Sequence, residues 1–151
     1  MPGILSFVFL TCMIIGINVG FTADGWYDGL DKPSFNPPKW VHSFMWCIVY
    51  LGVAYIWTLM EISENDDIKD NIKTLNIMIS TSMLLNIQWL ITFFVWKNFA
   101  ISLCVYIMMI FEIITVIYLV KKNITYDIFL IFYLIWIFYE MSINIYIMKN
   151  N

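Results

Sequence analysis

Five runs of about 20 predominantly apolar residues, joined by short polar connectors, leave this chain few ways to fold. They lie at about residues 3–22, 40–60, 74–96, 99–120 and 125–148. With 62% hydrophobic and 13% charged residues in a chain of 151, no water-soluble domain could hide so much apolar surface. The chain therefore reads as an integral, multi-pass membrane protein. Hydrocarbon offers no partner to an open backbone, so each Ile-rich run is a helix despite its strand-like side chains. Two-residue alternation suited to a barrel is absent. The connectors at Lys97–Asn98 and Lys121–Asn123 make consecutive runs antiparallel neighbours. The expected fold is an all-α, five-transmembrane-helix bundle forming a single domain over residues 1–151, with a structured loop after the first helix.

Charge narrows the partners. The net charge is −3, arginine is absent and the lysines lie outside the apolar runs, so no basic patch invites nucleic acid and the lipid bilayer is the first partner. The longest connector, EISENDDIKDNIK (61–73), holds five acids and two lysines. Lys69, Lys73, Lys121 and Lys122 fall on one side of the bundle and Lys32, Lys39, Lys97 and Lys149 on the other, so the positive-inside rule chooses no orientation. Cys12, Cys47 and Cys104 all fall in apolar stretches without CxxC spacing and read as small buried hydrophobes, not as disulfides or metal ligands. No lysine precedes Lys32, so the first run reads as a retained helix and not a cleaved signal.

The stretch from Trp26 to Trp46, WYDGLDKPSFNPPKWVHSFMW, stands apart from the apolar runs. It holds three of the four prolines (Pro33, Pro37, Pro38) and Gly29, and Gly25 immediately precedes it. Proline fixes its own φ and biases the preceding residue away from the helical region, so helix is not expected before about Pro38, where adjacent prolines suit a first turn. Trp26, Tyr27, Phe35, Trp40 and Trp46 supply apolar faces with polar handles. One reading is an aromatic belt at the membrane interface. The other is a lid, since Asp24, Asp28 and Asp31 share the same short loop with the rigid turn and the tryptophans.

Polar side chains also occur at membrane depth. Asn86 and Gln88 lie inside the third run beside Trp89, where an amide needs a partner helix, a ligand or water. Glu112 and Glu140 must face the bundle interior or be protonated. Trp136, Glu140 and Asn144 follow at four-residue intervals and form one polar-aromatic stripe, flanked by Ser142 and Tyr146, that faces a cavity in preference to lipid. His42 is the only histidine, so bis-histidine haem ligation within the chain is excluded and no metal site is expected. It reads as a polar residue at the interface or as one pointing into the cavity. No Ser-His-Asp set or phosphate loop is present, so any chemistry rests on tryptophan, tyrosine and a carboxylate.

The loop WYDGLDKPSFNPP followed by KWVHSFMWCIVYLGVAYIW resembles the signature of the TspO family, the tryptophan-rich sensory or translocator proteins once called peripheral benzodiazepine receptors. The resemblance continues in LLNIQWLITFF, similar to an Asn-x-x-Trp ahead of a Phe-Phe pair, and in FYLIWIFYEMSIN, similar to the family's closing segment. It implies an internal pocket closed by the first loop and lined by Tyr27, Pro37, Trp46, Asn86 and Trp136, with Glu140 at its floor. It further implies binding of tetrapyrroles such as protoporphyrin IX, of sterols and of benzodiazepine-type compounds, with porphyrin as ligand and no obligatory cofactor. A slow light-dependent porphyrin degradation would fall to Trp46 and Trp136, the expected assembly is a homodimer, and the location is a bacterial cell membrane or, in a eukaryote, the mitochondrial outer membrane. Two positions depart from the pattern. Phe132 replaces the family's proline before Tyr133, and Glu140 replaces a small residue, where it shrinks the pocket and, if ionised, repels porphyrin propionates.

Three functions follow as expectations. The first is a receptor for a flat apolar ligand that stacks on Trp46 and Trp136 and bonds to Asn86. The second is a small-molecule or proton-coupled transporter using Glu140 or Glu112, and the third a ligand-sensing membrane scaffold.

Overall fold

The computed structural model describes residues 16, 20–22, 25–120 and 123–151. The first expected span, Cys12, Asp24, Lys121 and Lys122 lie wholly or largely outside them; Gly16 and residues 20–22 are helical. Four helices follow: α1 (Lys39–Glu61), α2 (Asp66–Leu90), α3 (Phe99–Leu119) and α4 (Ile124–Asn150). All four are long and apolar enough to cross a membrane, α2 together with the turn that extends it to Val95. Regular structure among the described residues is helical throughout.

Asparagines start three of the helices. The side-chain oxygen of Asn65 accepts from the backbone N–H of Asp67 at 2.9 Å, that of Asn98 from Ile101 at 3.0 Å, and that of Asn123 from Thr125 at 3.1 Å. Each bond satisfies an amide that the first helical turn leaves without a partner. At α2 this cap corrects the expected boundary. Asp66 and Asp67 sit where the helix dipole favours negative charge, and Ile68 and Leu75 are buried on one face, so most of the acidic connector is helix and only 62–65 link α1 to α2. The start of α1 is also sharper than expected. Pro38 is extended (ψ 147°) and caps the helix, and Lys39 is its first residue.

α2 does not end cleanly. Ile91–Val95 form a π-helical turn in which Trp96 N–H donates to Ile91 O at 2.9 Å, five residues back. The extra residue in this turn lets Thr92, Phe93 and Phe94 all be buried in succession. Lys97 then takes a left-handed φ of 52° and reverses the chain.

The four helices close a ring in which α1 packs on α2 and α4, and α3 packs on α2 and α4. On the α2 side of the ring, Gly16 stands against Leu90 and Gly20 against Phe94. A Cβ on Gly20 would stand 2.7 Å from the Phe94 ring, so the backbone approaches as closely as only glycine permits. The outer faces are apolar: Phe44, Leu51, Ile77, Phe111 and Ile135 are all exposed, as in a bundle solvated by lipid. Gln88, one of the two amides expected to need a partner at membrane depth, lies on that outer surface. Cys104 is also exposed and Cys47 half-buried, so neither is the buried hydrophobe expected.

Candidate functional site

The loop before α1 is held by its own residues. Gly25 takes φ +67°, which opens the turn at Tyr27–Gly29. The Lys32 ammonium donates to the carbonyls of Tyr27 (2.7 Å), Asp28 (3.1 Å) and Leu30 (2.7 Å), closing the turn from inside. The Lys39 ammonium pairs with the Asp28 carboxylate at 2.6 Å. Three hydrogen bonds then tie the loop to α4 and the residue after it: Tyr139 Oη donates to Phe35 O at 2.7 Å, Asp31 N–H donates to Asn151 Oδ1 at 2.9 Å, and Asn151 Nδ2 donates to Asp31 O at 3.1 Å. Trp40 and Phe35 are exposed on the rim, while Tyr27 turns inward, buried, with its hydroxyl donating to Asn36 Oδ1 at 3.0 Å. Burial, and after it the Glu140 carboxylate, push the Tyr27 phenol above its ordinary pKa.

Four spaces lie among the described residues of the bundle. The largest, about 300 Å³, is a recess between α1 and α4 lined by Pro37, Val41, Met45, Phe132, Ile135, Trp136 and Tyr139. Ile135 is 63% exposed, so the recess opens toward lipid. Trp136 and Tyr139 stack at 5.3 Å and form one continuous aromatic wall. No charged side chain lines it among the described residues.

A second space, about 10 Å³, lies deeper. Tyr27, His42, Glu140 and Asn144 border it with Phe21, Trp89, Phe93, Tyr106 and Ile143. His42 Nδ1 and Glu140 Oε1 are 2.6 Å apart, and Asn144 Nδ2 donates to Ser102 Oγ at 2.8 Å. His42 therefore takes the inward of its two expected positions, and the stripe of Trp136, Glu140 and Asn144 faces the interior.

The third space, also about 10 Å³, is bordered by Tyr50, Ser82, Asn86 and Tyr133 among others. Asn86 is fully engaged there. Its carbonyl oxygen accepts from Tyr50 Oη at 2.9 Å, and its amide donates to Tyr133 Oη at 2.9 Å and Ser82 O at 2.7 Å. Glu112 borders a neighbouring space of about 20 Å³ with the same Ser82 and Tyr133.

The residues expected to share a pocket are thus distributed. Pro37 and Trp136 line the recess, Tyr27 and Glu140 the small polar cavity, and Asn86 the third space. Trp46, with 0% exposure, connects them: its ring lies 6.4 Å from Trp136, 5.5 Å from Trp89, 5.4 Å from Tyr50 and 6.3 Å from Tyr133. Sequence reasoning did not find Tyr139, Val41 and Met45 in the recess, nor Lys32 as the staple of the loop. The four-residue spacing of Trp136 and Glu140 pointed to one wall, but Tyr139 required knowing where the loop lands.

Known proteins resemble this chain over most of its length. The model of the TspO/MBR family matches residues 7–149. The tryptophan-rich protein TspO of Chlorobaculum tepidum is 23% identical over 149 residues, covering 93% of each chain. The tryptophan-rich protein TspO of Archaeoglobus fulgidus is 28% identical over 127 residues, covering 82% of this chain and 80% of the relative. A tryptophan-rich sensory protein of Cereibacter sphaeroides is 28% identical over 86 residues, 57% of this chain and 51% of that one. With a family match spanning nearly the whole sequence and four apolar helices around a tryptophan-rich interior, this chain is an integral, multi-pass membrane protein belonging to the TspO/MBR family.

Proposed function

We propose that the protein is a membrane receptor for a flat, largely apolar ligand of the tetrapyrrole type, which enters from the bilayer through the recess between α1 and α4. The observation that carries this reading is the recess itself: about 300 Å³, open toward lipid, roofed by Pro37 of the loop and walled by the stacked Trp136 and Tyr139. Family membership supports a ligand-binding or sensory role at the membrane. A planar macrocycle gains most from aromatic faces and from leaving lipid for a preformed slot. Sterols and benzodiazepine-type compounds are the other candidates for the same wall. In a light-dependent degradation of porphyrin, Trp136 would be the ring in contact with the ligand and Trp46 the next ring inward.

Titrating protoporphyrin IX into the protein in nanodiscs tests the reading. The expected result is saturable quenching of tryptophan fluorescence that weakens about tenfold in Trp136→Phe, the equivalent of about 1.4 kcal/mol of lost stacking. Quenching that does not saturate, or that Trp136→Phe leaves unchanged, rejects this site.

Transport has one specific observation in its favour, the burial of Glu112 beside Ser82 and Tyr133 within the bundle. Ligand or proton flux into proteoliposomes that disappears in Glu112→Gln would establish it over simple reception.

A further inference from the structure

The small polar cavity has a chemistry that the apolar recess lacks. His42 is 1% and Glu140 4% exposed, and both border it together with Asn144, also 1% exposed. Two of their polar atoms, His42 Nε2 and Asn144 Oδ1, are buried without a hydrogen-bond partner among the described residues. A buried polar atom left unpaired costs about 1–3 kcal/mol, so two of them at one cavity point to a group that belongs between them. The volume, about 10 Å³, matches the smallest space that admits one oxygen-sized group.

The atoms also select what that group can be. Asn144 Oδ1 only accepts, because the amide nitrogen of the same side chain is directed at Ser102. His42 Nε2 accepts if Nδ1 carries the proton shared with Glu140, and donates if the carboxyl carries it. A hydroxyl both donates and accepts and suits either arrangement. A carboxylate only accepts; it would meet Asn144 Oδ1 and the Glu140 oxygens without a proton to offer. A methyl group would leave both atoms unpaired.

The cavity adjoins the recess. Trp136 lines the recess and stands edge-on to His42 at 6.2 Å, so its ring is the partition between the two spaces and must turn aside for a hydroxyl to pass from the recess to the cavity. We propose that His42, Glu140 and Asn144 form a specificity site that takes one hydroxyl of an otherwise apolar ligand, and a water molecule when no such ligand is bound. The inference rests on the recess being the ligand site and adds to it a preference for those apolar ligands that carry a hydroxyl.

Three probes of one shape test it: pyrene, 1-hydroxypyrene and 1-pyrenecarboxylate, each titrated into the full chain in nanodiscs with empty nanodiscs as the partition blank. In the wild type, 1-hydroxypyrene is expected to bind at least about tenfold more tightly than pyrene, and the carboxylate most weakly. The double variant His42→Phe/Glu140→Leu removes both partners at once, so neither is left buried and alone. There the hydroxyl preference, the ratio of the two affinities, is expected to fall to about one. Asn144→Leu gives the same test by a separate residue, with the His42–Glu140 pair intact, and is expected to reduce the preference severalfold. Equal affinities in the wild type, or a preference that these variants retain, overturn the specificity site and leave the recess standing. No saturable binding of any probe to the wild type overturns both.

Discussion

His42 Nδ1 and Glu140 Oε1 meet at 2.6 Å across 98 residues of sequence, with both side chains almost wholly buried. The bond joins the first turn of α1 to the second half of α4 directly under the loop. Removing one partner strands the other in an apolar interior, whereas removing both does not. Glu140→Leu and His42→Phe are each expected to lower stability in detergent by about 3 kcal/mol, and the double variant by clearly less than either single one. A thermal-unfolding double-mutant cycle measures this; additive losses would mean that the pair is not coupled.

Asn86 is the hub of a second buried network, with Tyr50, Tyr133 and Ser82 as its partners. Tyr50→Phe removes one bond and is expected to cost about 1 kcal/mol, within the range for hydrogen bonds in membrane interiors. Asn86→Leu removes all three bonds, to Tyr50, Tyr133 and Ser82, and is expected to cost about 2–3 kcal/mol. Unfolding of the two variants side by side gives the order, and a larger loss for Tyr50→Phe would contradict the network.

Gly20 separates close packing from mere flexibility. A methyl group there meets the Phe94 ring, so Gly20→Ala is expected to destabilise the protein by about 1–3 kcal/mol. Gly29 has nothing within 4 Å of the equivalent position, and Gly29→Ala should change stability by less than about 0.5 kcal/mol. Comparable melting temperatures for the two variants would show that the helix carrying Gly20 does not depend on this contact.

The Tyr27 phenol has its pKa raised in the folded protein by burial, so the folded state holds this proton more tightly than the unfolded chain does. The associated stability is complete below the unfolded value of about 10 and is lost as pH rises from there through the folded value. Tyr27→Phe is expected to flatten the decline in stability above about pH 10, and absorbance near 295 nm, a generic tyrosinate band, should show one fewer late-titrating phenol. A wild-type alkaline decline matched in full by the variant would assign the titration elsewhere.

Lys32 closes the loop turn with three bonds to backbone carbonyls, and Tyr139 fastens the loop to α4. Lys32→Met and Tyr139→Phe each remove polar contacts and keep most of the side chain. Faster amide hydrogen exchange over residues 27–36, with the helices unchanged, is the expected outcome. Exchange that stays at the wild-type rate in both variants would show that other contacts hold the loop.

Much of this architecture was legible in residues alone. The apolar runs announce membrane helices because the length needed to cross hydrocarbon and the need to satisfy every backbone group admit little else. The prolines locate the start of α1 to within a residue or two, since a ring-fixed φ acts locally. The motifs around Trp46, Asn86 and Trp136 were sufficient to suggest the family, and the match over residues 7–149 establishes it.

Which way each helix turns was decided only by tertiary structure. Lipid is as apolar as the bundle interior, so inward and outward faces carry similar side chains and the pattern that orients a soluble helix fades. Gln88, two residues from buried Asn86, faces outward for that reason, and Cys104 does likewise. The acidic segment before α2 looked like a connector because its charge is visible in sequence, whereas the Asn65 cap that makes it helical depends on a backbone turn. Most of all, His42 and Glu140 appear in sequence as two isolated anomalies. Only the packing of α1 against α4 brings them within a hydrogen bond and makes of them the polar floor beneath the loop.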